Sequence, residues 1–145
     1  MNFFLKKIYI PCHTKKKKMT KVKYELEFPI HASPSMLFNS LATPSGLEEW
    51  FADSVNSRGK LITFTWDGSE EEAKILAKKA NERIKYKWIE SEGDESYFEF
   101  LIQVDALTKD VAVIITDFAD DQDDLEEAKM LWESQIESLK NSIGA

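Results

Sequence analysis

Residues 125–144, LEEAKMLWESQIESLKNSIG, decide how the rest of the chain folds. Leu125, Ala128, Trp132, Gln135, Ile136, Leu139 and Ile143 recur at spacings of three and four. That period puts them on one stripe of an amphipathic helix of about five turns. Asp121, Asp123 and Asp124 stand at its start, where negative charge suits the helix dipole. Gly144 stands where a left-handed cap belongs. A stripe of this length has to be covered, and the preceding sequence must supply the cover.

Upstream, the period changes to two. Val22, Tyr24, Leu26, Phe28 and Ile30 alternate with Lys21, Lys23, Glu25, Glu27 and Pro29, which reads as a half-buried strand ending at Pro29. Two short helices follow. Ser33-Pro34 and Thr43-Pro44 are each an N-cap followed by Pro at the first helical position, and Pro44 separates one helix from the next. Leu37, Phe38 and Leu41 share the first face, and Leu47, Trp50 and Phe51 the second. From about residue 54 strands return. Ile62, Phe64 and Trp66 share a face, Asp67-Gly68 signals a hairpin, and Ala73, Ile75 and Ala77 alternate with charges. Ala80-Asn81 reads as a turn, then Ile84, Tyr86 and Trp88 face one way with Arg83, Lys85 and Lys87 opposite. Gly93-Asp94 turns the chain before Phe98, Phe100, Ile102 and Val104, and Thr108-Lys109-Asp110 leads into Val111–Phe118. The expectation is an α+β fold: a curved antiparallel sheet of about seven strands around one long C-terminal helix, with two short helices after the first strand.

Composition narrows the function. The 145 residues carry a net charge of −7, one Cys and two His. Residues 1–18 hold six Lys and no acid, so the remaining chain, with 13 basic and 26 acidic side chains, stands at −13. An acidic body is a poor partner for nucleic acid. No apolar run reaches the roughly 20 residues of a membrane span. The basic leader lacks the order of a secretory signal. Residues 1–19 are expected to be either a disordered leader or a stretch before the true start at Met19, and residues 20–144 to form the domain, in the cytoplasm.

Four stretches carry a resemblance. They are Pro29-Ile30-His31-Ala32-Ser33-Pro34 with Leu37-Phe38, residues 41–51 (LATPSGLEEWF), Val113-Ile114-Ile115-Thr116-Asp117-Phe118, and Trp132 to Leu139 (WESQIESL). Together they resemble the START-like, or SRPBCC, helix-grip superfamily of the birch-pollen allergens, and within it the branch related to the heat-shock-chaperone ATPase activators. Many relatives have Gly before the closing Trp; here it is Leu131. The resemblance implies a cavity between sheet and helix that binds a small apolar or lipid-like ligand. Its lining would come from Tyr24 and Leu26, Phe64 and Trp66, Tyr86 and Trp88, Phe98 and Phe100, Ile115 and Asp117, and Trp132 and Gln135. The alternative it implies is a protein-interaction module, and the third reading is a cyclase-like enzyme. Side-chain bulk bears on the choice. Fourteen aromatic residues remain after the leader, each able to bury roughly 150–250 Å², enough to fill such a cavity outright.

The residues offer little to catalysis. The sole Cys is Cys12 in the leader, and the domain's sole His is His31, without nucleophile-elbow glycines near it. Asp117 falls on the inward face by alternation, where a carboxylate could serve as a base. The simpler expectation puts it at a strand end, solvated or capping the next helix. The acids between Asp117 and Glu127 invite calcium, but no frame supplies both the Gly and the Glu of an EF-hand loop. Helix capping accounts for them. Lys78, Lys79, Arg83, Lys85 and Lys87 form a basic strip that is expected to be a solvated sheet face, or at most a docking strip for an acidic partner. No phosphate loop is present, and no cofactor or metal is expected.

Overall fold

Alternation drives seven strands into one antiparallel sheet in the computed structural model, which describes residues 21–144. The elements are β1 (Val22–Pro29), α1 (Pro34–Ala42), α2 (Pro44–Glu48), β2 (Ser54–Arg58), β3 (Leu61–Trp66), β4 (Ser69–Lys79), β5 (Arg83–Trp88), β6 (Phe98–Val104), β7 (Val111–Ala119) and α3 (Leu125–Ile143). The sheet order is β1-β7-β6-β5-β4-β3-β2, a meander from β2 to β7 with β1 added beside β7. This is the α+β arrangement that the patterning predicts, in the helix-grip form that the resemblance implies. The leader, with Cys12 and His13, lies outside the described residues.

Local chemistry sets the boundaries. The Ser33 hydroxyl accepts the Met36 N–H at 3.1 Å and opens α1. Thr43 ends α1 and begins α2, its Oγ1 accepting the Gly46 N–H at 3.0 Å. The two helices then pack too closely for a side chain at Gly46. A Cβ there would stand 2.1 Å from the Asn39 carbonyl oxygen and 2.8 Å from the Ser40 Cα. Gly46→Ala is therefore expected to force α1 and α2 apart, at about 1–3 kcal/mol. A chemical-denaturation midpoint unchanged by G46A would contradict this packing. At the β3–β4 turn Asp67 and Gly68 both take positive φ (49° and 83°), the left-handed pair that a two-residue hairpin needs.

Along α3, Ala128, Trp132, Ile136 and Leu139 are buried against the sheet, with Leu125 and Ile143 packed at the margins. Gly144 closes the helix at φ 73°. One strand departs from strict alternation. On β4 the register slips between Ile75 and Ala77: Ile75 pairs with Tyr86, but Ala77 pairs with Lys85. Leu76 is left unpaired and half exposed, and Ala77 is carried to the outer face instead of continuing the inward row.

Candidate functional site

The concave face of the sheet brings most of the expected lining together. Phe64, Trp66, Tyr86, Trp88, Phe98, Phe100, Ile115, Asp117, Tyr24 and Trp132 are all buried, while Leu26 and Gln135 are partly buried. The rings touch one another in offset and edge-on pairs. Tyr86 stacks on Phe98 at 4.9 Å, Phe98 meets Trp88 at 5.1 Å, Phe64 meets Trp66 at 5.7 Å, and Phe100 meets Trp132 of α3 at 5.7 Å.

Phe51 is the residue that the expected lining omits. It follows α2 and inserts between sheet and helix. Its ring lies 5.1 Å from Phe64, 5.6 Å from Trp66, 6.1 Å from Phe98 and 6.3 Å from Trp132. The i, i+4 spacing from Leu47 marks Phe51 as a core residue, but only contacts across the fold show that it bridges both layers. The polar tips of the rings hold it there. Trp66 Nε1 donates to the Phe51 carbonyl at 2.8 Å, Trp50 Nε1 to the Ser40 carbonyl at 2.8 Å, and the Tyr86 hydroxyl to the Leu41 carbonyl at 2.8 Å. Gln135 Nε2 reaches the Phe51 carbonyl at 3.4 Å. Burial raises the Tyr86 hydroxyl's pKa, so it stays a donor.

Asp117 corrects the expectation of a solvated strand end. Its side chain is buried, with 4% of the residue exposed. Oδ2 accepts the Trp132 Nε1–H at 2.9 Å and the Tyr24 hydroxyl at 3.3 Å, and Oδ1 accepts the Phe118 N–H at 2.8 Å. It does not cap α3. Asp121 instead accepts the Asp124 N–H at 3.0 Å and caps the short 3-10 turn before that helix. The Tyr24 hydroxyl is pushed far up by burial and by the Asp117 charge, which fixes it as the donor of this pair. One polar knot thus joins β1, β7 and α3 inside an apolar layer.

Lys87 corrects the reading of the basic strip. It is buried rather than solvated, because the β5–β6 connection folds over it. Its Nζ donates to the Asp94 carbonyl at 2.6 Å, to the Ser96 carbonyl, and to the Asp94 carboxylate at 3.2 Å. Burial acts to raise the Asp94 carboxyl, but bonds from Ser96, then Lys21 and Lys87, outweigh it and hold it well below the usual carboxylate range.

Carboxylates crowd the end of the sheet where β7 passes into α3 and the β3–β4 turn lies. The Asp124 carboxyl is raised, first by burial and then by the charges of Asp121, Asp120, Glu127 and Asp123. Glu71 sits opposite Phe64 and is pushed up from 4.5 to about 7, by burial first and Glu90 second. The folded protein therefore holds a proton on Glu71 that the unfolded chain has lost between about 4.5 and 7, so stability falls as pH rises through that window. Glu71→Gln is expected to gain stability over the parent as pH rises through that window, with the gap constant above it. Thermal melts at several pH values would show this, and a gap independent of pH would contradict it. Among the described residues no group of three His, Cys, Asp or Glu side chains could hold a metal ion, and no helix is long and apolar enough to cross a membrane. His31 is exposed.

Comparison with known proteins follows the fold. A family model for the START-like superfamily domain matches residues 18–145. A Bacteroides fragilis protein solved by solution NMR is 35% identical, with 86% of this chain and 93% of that chain covered at a TM-score of 0.64. The Aha1 dimer from Colwellia psychrerythraea is 18% identical, with 86% and 96% covered and a TM-score of 0.65. A Mesorhizobium loti protein is 20% identical, with 84% and 96% covered and a TM-score of 0.67. No curated protein matches the chain.

Proposed function

The chain belongs to the START-like superfamily, and from that premise we propose that it works by binding a protein partner, as a non-catalytic interaction module. The observation that carries this reading is Phe51. Its ring contacts Phe64, Trp66 and Phe98 on the sheet and Trp132 on α3, so the protein's own side chains occupy the middle of the space a ligand would take. With the middle of the interior filled, recognition falls to the surface. Among the described residues the most exposed large apolar side chain, Leu107 at 90%, sits in the β6–β7 turn with Val104 at its base. Asp105 Oδ1 holds that turn by accepting the Leu107 and Thr108 N–H groups at 2.8 and 2.9 Å. The solved structure of an Aha1 dimer with this fold supports an association role. A cytoplasmic setting suits a chain with a single cysteine.

Native mass spectrometry of the purified full chain, alone and with a saturated fatty acid, tests the proposal. The bare chain mass with no saturable fatty-acid adduct is the expected result. A stoichiometric co-purified or added apolar ligand would overturn it.

One observation favours the ligand reading as the second choice. The Tyr24–Asp117–Trp132 knot is a buried polar group among the apolar inward side chains, the feature that orients ligands in apolar pockets. On this reading the same inward residues would line the pocket, with Leu26 and Gln135 at its partly exposed margin.

A further inference from the structure

The sheet ends in two edges, β1 and β2. An edge strand turns every second residue's N–H and C=O away from the ladder, a template for another strand. At β2 that edge is short and partly taken. The strand spans Ser54–Arg58, and the Glu48 carboxylate accepts the Val55 N–H at 2.9 Å. The longer edge is β1, Val22–Pro29, which among the described residues pairs with β7 alone.

The ladder decides which groups of β1 face outward. The Ile30 N–H donates to the Val111 carbonyl at 2.9 Å, in the same register that pairs Val22 with Ala119. Bonded and non-bonded pairs alternate in an antiparallel ladder, so Val22, Tyr24, Leu26 and Phe28 direct their backbone groups to β7. Lys23, Glu25 and Glu27 turn theirs to the open edge. Pro29 has the same parity, so its missing N–H falls on the edge and costs the sheet no bond. The side chains of Lys23, Glu25 and Glu27 are exposed, while Val22, Leu26 and Phe28 on the inner face are only partly buried.

We propose that β1 pairs antiparallel with β1 of a second copy about a two-fold axis at Tyr24, joining two sheets into one. Charge selects that register. Backbone bonding across the edge requires odd-numbered residues to stand opposite odd-numbered ones. A centre at Lys23 or Glu25 sets that residue against its own copy. A centre at Val22 opposes Lys21 to Lys23, and one at Leu26 opposes Glu25 to Glu27. A centre at Tyr24 brings only unlike charges together, Lys23 with Glu25 and Lys21 with Glu27, each twice by symmetry. Lys21 already pairs with Asp94 at 3.2 Å, so the central Lys23–Glu25 pairs carry the choice. The same register sets Val22 beside Leu26 on the inner face and covers both. It forms about eight backbone hydrogen bonds over residues 21–27 and leaves Pro29 beyond them.

This rests on the reading of the chain as an interaction module and names its partner as a second copy. A fatty-acid adduct would count against that reading through the interior and would leave the β1 edge unchanged, so the two fail separately.

Sedimentation velocity of the full chain, up to millimolar concentration, tests the proposal. The parent is expected to dimerise. Lys23→Glu and Glu25→Lys each set like charges opposite one another at two places, and each should weaken the dimer about tenfold or more while keeping the parent's far-ultraviolet circular dichroism. An equimolar mixture of the two variants should restore the dimer, because every pair is unlike again. The double variant K23E/E25K should dimerise by itself for the same reason. A monomeric parent would overturn the proposal. So would a dimer that both single variants keep at parental strength, which would place the contact elsewhere, or a mixture as weak as its components.

Discussion

Phe51→Ala is expected to destabilise the domain by about 3–5 kcal/mol, the usual range for deleting a buried phenyl ring. That corresponds to a fall in Tm on the order of 10–20 °C for a domain of this size. The cost has two parts: the transfer energy of the ring, and the void left among Phe64, Trp66, Phe98 and Trp132. The backbone bonds at this position survive, since Trp66 and Gln135 donate to the Phe51 carbonyl and not to its side chain. The void should then be apolar and dry, and it should take up a small aromatic guest such as benzene or indole. Denaturant melts and ligand-dependent melting shifts would measure both effects. A loss below about 1 kcal/mol, or equal guest binding by the parent, would mean that the parent already contains the cavity.

Asp117→Ala is expected to cost about 2–6 kcal/mol, because the Tyr24 hydroxyl and the Trp132 indole N–H each lose a buried acceptor at about 1–3 kcal/mol apiece. Tyr24→Phe alone removes only one donor and should cost about 0.5–1.5 kcal/mol. The double variant should therefore be less unstable than the sum of the two, since no Tyr24 hydroxyl remains to be stranded. A double-mutant cycle by urea denaturation measures this coupling. Strict additivity would show that the knot does not act as a unit. The cycle also separates a structural carboxylate from a ligand-orienting one, because it reads stability with no ligand present.

The contrast between Phe51 and Asp117 shows what could be read in advance. Period two assigned the inward faces of β3, β5 and β6 correctly, because adjacent strand residues must point to opposite sides. The Ser33 and Thr43 caps and the Asp67-Gly68 turn were equally legible, because each is made by residues within a few positions of one another. Asp117 also falls on the inward face by alternation, yet the simpler expectation left it solvated and its partners were not legible. Its partners are 93 residues away in Tyr24 and 15 residues away in Trp132, and both face it only after β1 and α3 have docked. Lys87 was misread for the same reason, since the connection that buries it contributes backbone carbonyls, which leave no mark on residue type. The slip at Leu76 is a property of two strands together.

The amino-acid sequence by itself determined the element order, the strand faces and the helix stripe, because these follow from periodicity and short-range hydrogen bonding; the helix-grip class came with the resemblance of four stretches to a known superfamily. The sequence also determined the opposition of a basic leader to an acidic domain, which is simple charge counting. Only the tertiary structure decided that Phe51 fills the space beneath α3 and that Asp117 is tied into the core. Those outcomes depend on which surfaces meet across the fold. A one-dimensional period records the direction in which a side chain points, while its environment is set by what packs against it.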